Sequence, residues 1–243
     1  MSHQTSLFEA TLKANNQSFQ PTLERAIERK GGKKALLSLL TDSNSESVAD
    51  QPDSYFLEEM TRSIFQSGFV WRVINNKWPQ FREAFQNFDL DKLMALSDEE
   101  WDGFMGDTRV VRHRIKLRAV RHNLWFVNET GAEHGGFGQF LANWPKTELV
   151  DLFAYLKKYG SRLGGHTGQY FLRHVGLDSY VLNKDVVLSL KLHGLDISDN
   201  PTSQKDLKKV QEQFNQWQQD SGLPYRHLSM IAAFSAGVNR SDS

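Results

Sequence analysis

Apolar residues recur at helical spacing through most of this 243-residue chain. Phe56, Met60 and Ile64 show the pattern, in which one face repeats every three to four residues. The strict alternation of apolar and polar residues that is typical of half-buried strands is not seen, and strand and helix patterns do not alternate. The sequence therefore predicts an all-α fold with about ten helices in one compact body and no internal repeat.

Capping and breaking residues place the ends of these helices. Asp89 and Ser97 are suited to N-caps, and Glu100 completes a capping box with Ser97. Gly160 and Gly194 follow apolar-periodic runs and are suited to helix ends. Besides the helices that begin after the two caps, helices are predicted over 23–30, 34–40, 55–73, 148–159, 167–175, 184–193, 203–221 and 224–236.

Composition divides the chain into three regions. Residues 1–54 are predicted to form a helical hairpin, turned at Gly31 and Gly32, followed by a polar tether over 41–54. Residues 55–236 are predicted to form the main all-α domain, and residues 237–243 a disordered tail.

The balance of residue types excludes several classes of protein. The chain has 29 basic and 29 acidic residues and no cysteine, so it can form neither disulfides nor thiolate metal sites. Its eight histidines show no paired metal-binding spacing, and no metal or cofactor is expected. No apolar run approaches membrane-spanning length and the first residues do not resemble a signal peptide, so we expect a cytoplasmic protein that does not bind membranes.

Charge is segregated along the middle of the sequence. Residues 89–107 carry seven acids and one base, whereas residues 109–121 carry six bases and no acid. In the basic run, positions 112 and 116 and positions 114, 118 and 121 recur at helical spacing. The run is either a solvated helix face or a surface that binds an anion such as a nucleic-acid backbone.

Residues 159–185 hold a glycine turn between two predicted helices. Gly164 and Gly165 allow backbone N–H groups to converge at the start of the following helix, which is a typical phosphate site, although most such turns are plain connections. Basic or polar side chains that could assist lie around the turn: Arg162, His166, Thr167, Arg173 and His174.

Two segments resemble a known enzyme family. The turn and the sequence VGLDSYVLNKDVV that follows it resemble the helix-hairpin-helix DNA glycosylases. Residues 56–123, with Gln66, Gly68 and Trp71 and the later sequence VRHRIK, resemble DNA-3-methyladenine glycosylase I. The resemblance covers about residues 55–236 and implies a glycosylase-like domain there.

This resemblance implies a set of site residues. The helix with Gln66 and Trp71 would line the pocket for a flipped base, with Tyr55, Phe56 and Phe65 as weaker aromatic candidates that could equally be core residues. The family's base-recognising Glu falls on Ser63, which can donate a hydrogen bond but offers no carboxylate. The family's structural zinc, held by two Cys and two His, cannot form here in that way, so this would be a divergent member.

The resemblance also implies groups for catalysis and for DNA binding. The superfamily's Asp falls on Asn183, and Asp185 lies two residues later, where it could stabilise an oxocarbenium ion or simply cap the next helix. His166 and Gly165 occupy the place of the Lys that forms a Schiff base, so a covalent lyase step is not expected. Phosphates would contact the hairpin and the basic run, through Arg162, Gly164, Gly165, His166, Thr167, Arg112, Arg114 and Lys116.

The predicted function is therefore a monofunctional DNA N-glycosylase that excises alkylated purines, above all 3-methyladenine, in base-excision repair. The expected partner is double-stranded DNA with alkylated bases, and the chain is expected to act as a monomer. The alternatives are a non-catalytic helix-hairpin-helix relative that binds DNA, and an all-α scaffold whose basic face binds a protein or RNA.

Overall fold

The computed structural model of the chain describes residues 18–40 and 47–237. Every regular element in these residues is helical, which confirms the predicted all-α class, and none of the helices has the length and apolar character to cross a membrane. The described residues contain thirteen α-helices, three more than predicted. They are α1 (Gln20–Arg29), α2 (Lys33–Leu39), α3 (Asp53–Gln66), α4 (Trp71–Ala84), α5 (Leu90–Met94), α6 (Asp98–Gly103), α7 (Arg114–His134), α8 (Phe137–Asn143), α9 (Leu149–Tyr159), α10 (His166–His174), α11 (Lys184–Leu192), α12 (Gln204–Ser221) and α13 (Tyr225–Ala236). Short 3₁₀ helices lie at Val48–Asp50, Gln86–Phe88 and Lys146–Glu148.

The predicted caps are confirmed, but one predicted helix is interrupted. Asp89 caps α5, and Ser97 and Glu100 form the complete capping box of α6. The helix predicted over 55–73 is instead two helices, because Gly68 adopts a φ of +80° between the end of α3 and the start of α4. Such a conformation is open to glycine and ends a helix.

The described residues group into two compact units. The first comprises residues 18–40, 146–150 and 178–237. Its core contains Tyr180 stacked on Phe214, with ring centroids 4.3 Å apart, and Phe19 against Trp217. In this unit α13 packs against both α1 and α11, so the predicted N-terminal hairpin is built into a folded unit. Arg29 at the end of α1 donates hydrogen bonds to the carbonyls of Phe234 and Gly237.

The second unit comprises residues 47–145 and 151–177. A cluster of aromatic rings from α4 and the following turn forms one part of its core, in which Trp78 stacks on Phe81 with centroids 5.0 Å apart. The buried indole nitrogen of Trp78 donates to the carboxylate of Glu58, and the guanidinium of Arg62 lies over the Trp78 ring, 4.4 Å from its centroid. This packing fixes α4 against α3.

Residues 47–54 differ from the predicted tether. Val48–Asp50 form a 3₁₀ helix, the Ala49 carbonyl accepts from the Gln139 side chain, and Asp53 accepts from the Phe137 backbone N–H at 2.7 Å. A Cβ on Gly138 would lie 2.4 Å from the Val48 carbonyl oxygen, so glycine is required for this close approach. Residues 47–54 are therefore packed within the second unit, which their polar composition did not indicate. Residues 41–46 of the predicted tether and residues 238–243 of the predicted tail lie outside the described residues.

Candidate functional site

One face of α3 carries several of the predicted site residues. Ser63 and Gln66 are three residues apart, which places them on the same side of the helix, and both are buried. The Gln66 amide nitrogen donates to the Asn75 side chain at 2.9 Å, whereas its Oε1 atom is buried without a hydrogen-bond partner among the described residues. A buried acceptor of this kind is costly unless something donates to it.

Trp71 begins α4 and remains accessible. Its side chain is 44% exposed, unusual for a large apolar ring. It meets Tyr170 and His174 of α10 edge to face, with ring centroids 5.5 and 6.0 Å away. A partly exposed indole that is held on one side by two further rings is suited to stacking on a planar ligand.

His174 joins α10 to α3. Its Nδ1 atom lies 3.4 Å from the Ser63 hydroxyl oxygen, and its backbone carbonyl accepts from the Tyr55 hydroxyl at 3.4 Å. The sequence suggested a place beside the glycine turn for this residue. Because nine helical residues rise about 12 Å, His174 instead lies at the opposite end of α10 from the turn. The four-residue spacing of Tyr170 and His174 indicates only that they share one face of α10. Their contacts with Trp71 and Ser63 are between helices, so no local sequence signal could have revealed them.

Phe56 and Phe65 are core residues. Both are fully buried, and Phe56 packs against Phe137 with centroids 5.4 Å apart. Their proposed role in the base pocket is therefore wrong, because a ring enclosed by its own core offers no face to a base.

Glu59 is the nearest carboxylate to Ser63 along the face of α3 that carries Ser63, one helical turn before it. Burial raises the pKa of Glu59, although the Arg62 guanidinium lies 3.0 Å from its carboxylate.

The glycine turn lies between α9 and α10 and is held by α7. The buried Asn123 side chain donates to the Ser161 carbonyl at 3.1 Å and accepts from the Ser161 N–H at 2.7 Å. His122 donates to the Tyr159 carbonyl at 2.8 Å. Gly165, with a φ of +59°, precedes α10 and leaves the N-terminus of that helix exposed. Arg162 and His166, on either side of this position in the sequence, are both exposed, so the turn stays a candidate phosphate site.

Lys116, which was predicted to contact DNA, is instead buried. Its side chain is only 3% exposed, and the ammonium donates to the carbonyls of Ile64, Phe65 and Ser67 at the end of α3. Burial, and next the positive charge of Arg162, lowers the pKa of Lys116 to about 8. The ammonium satisfies carbonyls that a helix end leaves unpaired, so it does not reach a DNA phosphate.

The rest of the basic run is partly neutralised by the acidic block before it. Arg109 binds Asp107 and Glu83, and its hydrogen bond lowers the pKa of the Asp107 carboxyl. Arg121 binds Asp98 at 2.5 Å. Arg112 and Arg114 are exposed, which keeps them as candidate phosphate contacts.

Asn183 and Asp185 lie in the first unit, at the start of α11. The Asn183 side chain accepts from the Val186 N–H at 2.9 Å and is therefore the N-cap, so the alternative that Asp185 caps this helix is wrong. Asp185 is the second residue of α11, is half-buried, and lies against Gly237, where an added Cβ would come within 2.6 Å of its carboxylate.

The described part of the chain contains no cluster of three or more side chains suited to hold a metal ion. A cleft of about 660 Å³ lies between α7 and α9 in the second unit, apart from Trp71. Its lining includes His122, Trp125, Glu129, Glu133, Tyr155 and Tyr159.

Comparison with known proteins confirms the resemblance seen in the sequence. Residues 46–162 match the methyladenine glycosylase family. A 58-residue stretch is 34% identical to a DNA-3-methyladenine glycosylase of Haemophilus influenzae and 31% identical to DNA-3-methyladenine glycosylase 1 of Escherichia coli. Each match covers 24% of this chain, and the chain spans about a third, 31%, of the length of these curated relatives.

Solved structures of proteins named 3-methyladenine DNA glycosylase I are also similar to the chain. 3-Methyladenine DNA glycosylase I of Staphylococcus aureus has a TM-score of 0.46 and 20% identity, over 73% of this chain and 99% of that one. Another 3-methyladenine DNA glycosylase I has a TM-score of 0.45 and 21% identity, over 52% of this chain and 80% of that one.

Proposed function

We propose that this chain, whose residues 46–162 match the methyladenine glycosylases, is a DNA N-glycosylase that removes alkylated purines such as 3-methyladenine from duplex DNA. The observation that carries the proposal is the accessible Trp71, set edge to face against Tyr170 and His174 beside the buried polar face of α3. An enzyme that acts on a base turned out of the duplex needs this combination of a stacking ring and nearby hydrogen-bonding groups.

The hairpin between α9 and α10 supplies the DNA contact. The exposed N-terminus of α10, with Gly164 and Gly165 before it, offers backbone N–H groups to a phosphate. Arg162, His166, Thr167, Arg112 and Arg114 add side-chain donors from the same unit. These contacts do not read sequence, as suits an enzyme that must inspect any site.

Cleavage of the glycosidic bond of an alkylated purine needs little catalytic assistance from the protein. An alkylated purine nucleoside such as 3-methyladenosine already carries positive charge, so its glycosidic bond is weak, and stacking and exclusion of water contribute much of the remaining rate. Asp185 is the candidate group for stabilising the oxocarbenium ion, and Asn183 holds the helix that carries it. The hairpin has no lysine that would form a Schiff base, so the reaction is a single hydrolysis.

Base release from methylated duplex DNA tests this function. The full chain should release 3-methyladenine under single-turnover conditions. Trp71→Ala should weaken lesion recognition about tenfold or more, because stacking contributes roughly 1–3 kcal/mol per base, and should leave binding to undamaged duplex nearly unchanged. Trp125→Ala is the matched control, since Trp125 is 46% exposed on α7 and lies apart from the site.

A second comparison tests the carboxylate. Asp185→Asn should slow base release by at least about tenfold with little change in DNA affinity. Asp91→Asn is its control, because Asp91 is likewise the second residue of a helix. If the unaltered chain binds duplex DNA but releases no base, it is instead a non-catalytic DNA-binding relative, and if Asp185→Asn excises at the normal rate, Asp185 has no catalytic role.

A further inference from the structure

The hydrogen bond between Ser63 and His174 is the feature of the site that stacking does not explain. Ser63 is 4% exposed, and its hydroxyl is 3.4 Å from the imidazole Nδ1. The same imidazole lies edge to face with Trp71, at 6.0 Å. A buried hydroxyl therefore fixes the orientation of a histidine that touches the stacking residue.

We propose that His174, oriented by Ser63, is a specificity-determining residue that reads the hydrogen-bonding edge of the base stacked on Trp71. The inference rests on the proposed function and concerns the same site. An imidazole can donate at one ring nitrogen and accept at the other, and a hydrogen bond at one nitrogen sets what the other offers. Purine edges present donors and acceptors side by side, so they match such a group.

Gln66 indicates which purines the site takes. Its Oε1 atom is a buried acceptor without a partner among the described residues, one helical turn from Ser63. An N–H donor from a ligand would satisfy it, and the exocyclic amino group of an adenine-type base is such a donor. The expected substrate class is thus a purine that keeps its amino group, as 3-methyladenine does, rather than one whose amino nitrogen is closed into a ring, as in 1,N6-ethenoadenine.

Isothermal titration of the full chain with the two free bases tests the selectivity. The unaltered protein should bind 3-methyladenine at least about tenfold more tightly than 1,N6-ethenoadenine, because leaving one buried acceptor unpaired costs about that factor. Gln66→Leu should reduce the difference to about twofold or less. Equal binding of the two bases by the unaltered protein would overturn the role of Gln66.

Variants of the pair test His174 itself. His174→Phe keeps a ring beside Trp71 but removes the nitrogens, and Ser63→Ala removes the same bond from the other side. Each should weaken 3-methyladenine binding about tenfold, and the double variant should lose less than the product of the two, because one bond is shared. Affinity for undamaged duplex should change less than about twofold. His134→Phe, an exposed imidazole at the end of α7, is the control.

A spectroscopic measurement covers the case in which these variants do not fold. The imidazole nitrogen signals of His174 in the unaltered protein should shift on addition of 3-methyladenine, and those of His134 should not. Unshifted His174 signals with saturating base, or folded variants with normal affinity and selectivity, would overturn this inference alone. If the unaltered chain neither binds nor releases any modified base, both this inference and the proposed function are wrong.

Discussion

Lys116→Met should destabilise the second unit by removing the cap on the C-terminus of α3. The ammonium donates to three carbonyls there, and the side chain is 3% exposed, so water cannot readily replace it. Methionine keeps most of the aliphatic volume and removes only the donor. At about 1 kcal/mol for each net hydrogen bond, the free energy of unfolding should fall by about 3 kcal/mol.

Thermal unfolding followed by circular dichroism measures this loss. For a chain of this size, about 3 kcal/mol corresponds to a decrease of roughly 6–12 °C in the midpoint. Lys208→Met, at an exposed position on α12, is the control and should shift the midpoint by no more than about 1 °C. Equal midpoints for the two variants would refute the capping role of Lys116.

The pH dependence provides an independent check. Burial lowers the pKa of Lys116 to about 8 in the folded protein, from an ordinary value of 10.5. Between these pH values the unfolded chain binds more protons at this residue than the folded chain, so folding stability rises with pH across the interval. The difference in stability between the unaltered protein and Lys116→Met should therefore grow from pH 8 to 10.5. A difference that shrinks over this range would show that the charged form is favoured in the folded state.

Two substitutions test the hairpin, and a zinc measurement tests the expectation drawn from the composition. Gly168→Ala should lower the thermal midpoint by several degrees, because a Cβ there would lie 2.2 Å from the Leu163 carbonyl oxygen. Gly103→Ala is the control and should leave the midpoint unchanged, because nothing lies within 4 Å of a Cβ at that position. Equal midpoints for the two variants would contradict the close approach at Gly168. At low salt, Gly165→Asp should bind duplex DNA about tenfold more weakly than Gly165→Asn, and this difference in affinity should become smaller as the salt concentration rises. Equal affinities of the two variants would show that the hairpin does not contact DNA. The purified protein should contain no stoichiometric zinc, and a chelator should leave its thermal midpoint unchanged; one tightly bound zinc per chain would refute this.

Local signals predicted much of the fold. The capping box at Ser97 and the cap at Asp89 depend only on residues within one turn, so the sequence contains all the information they need. The same holds for the helical spacing of Phe56, Met60 and Ile64, which all lie in α3. The break at Gly68 was missed because a single glycine inside an apolar-periodic run does not reveal the sign of its φ. Asn183 and Asp185 both fit an N-cap, and only the structure distinguishes them.

Long-range contacts account for what the sequence did not reveal. Lys116 belongs to a basic run, and nothing in that run indicates that its ammonium is buried against carbonyls 49 to 52 residues earlier. The contact of His174 with Ser63 spans 111 residues and depends on how α10 packs against α3. Charge spacing along one helix indicates which side chains share a face, but the neighbouring element decides whether that face meets water or protein.

Helix α7 connects the two halves of the proposed site. Lys116 and Asn123 are seven residues apart, two helical turns, so they lie on the same side of α7. Lys116 fixes the end of α3, next to Gln66, while Asn123 fixes Ser161 in the hairpin. The proposed base-binding face and the proposed DNA-binding turn are thus both held by one helix of 21 residues. Loss of Asn123 should therefore impair DNA binding first and loss of Lys116 base recognition first, because each side chain supports a different end of the site.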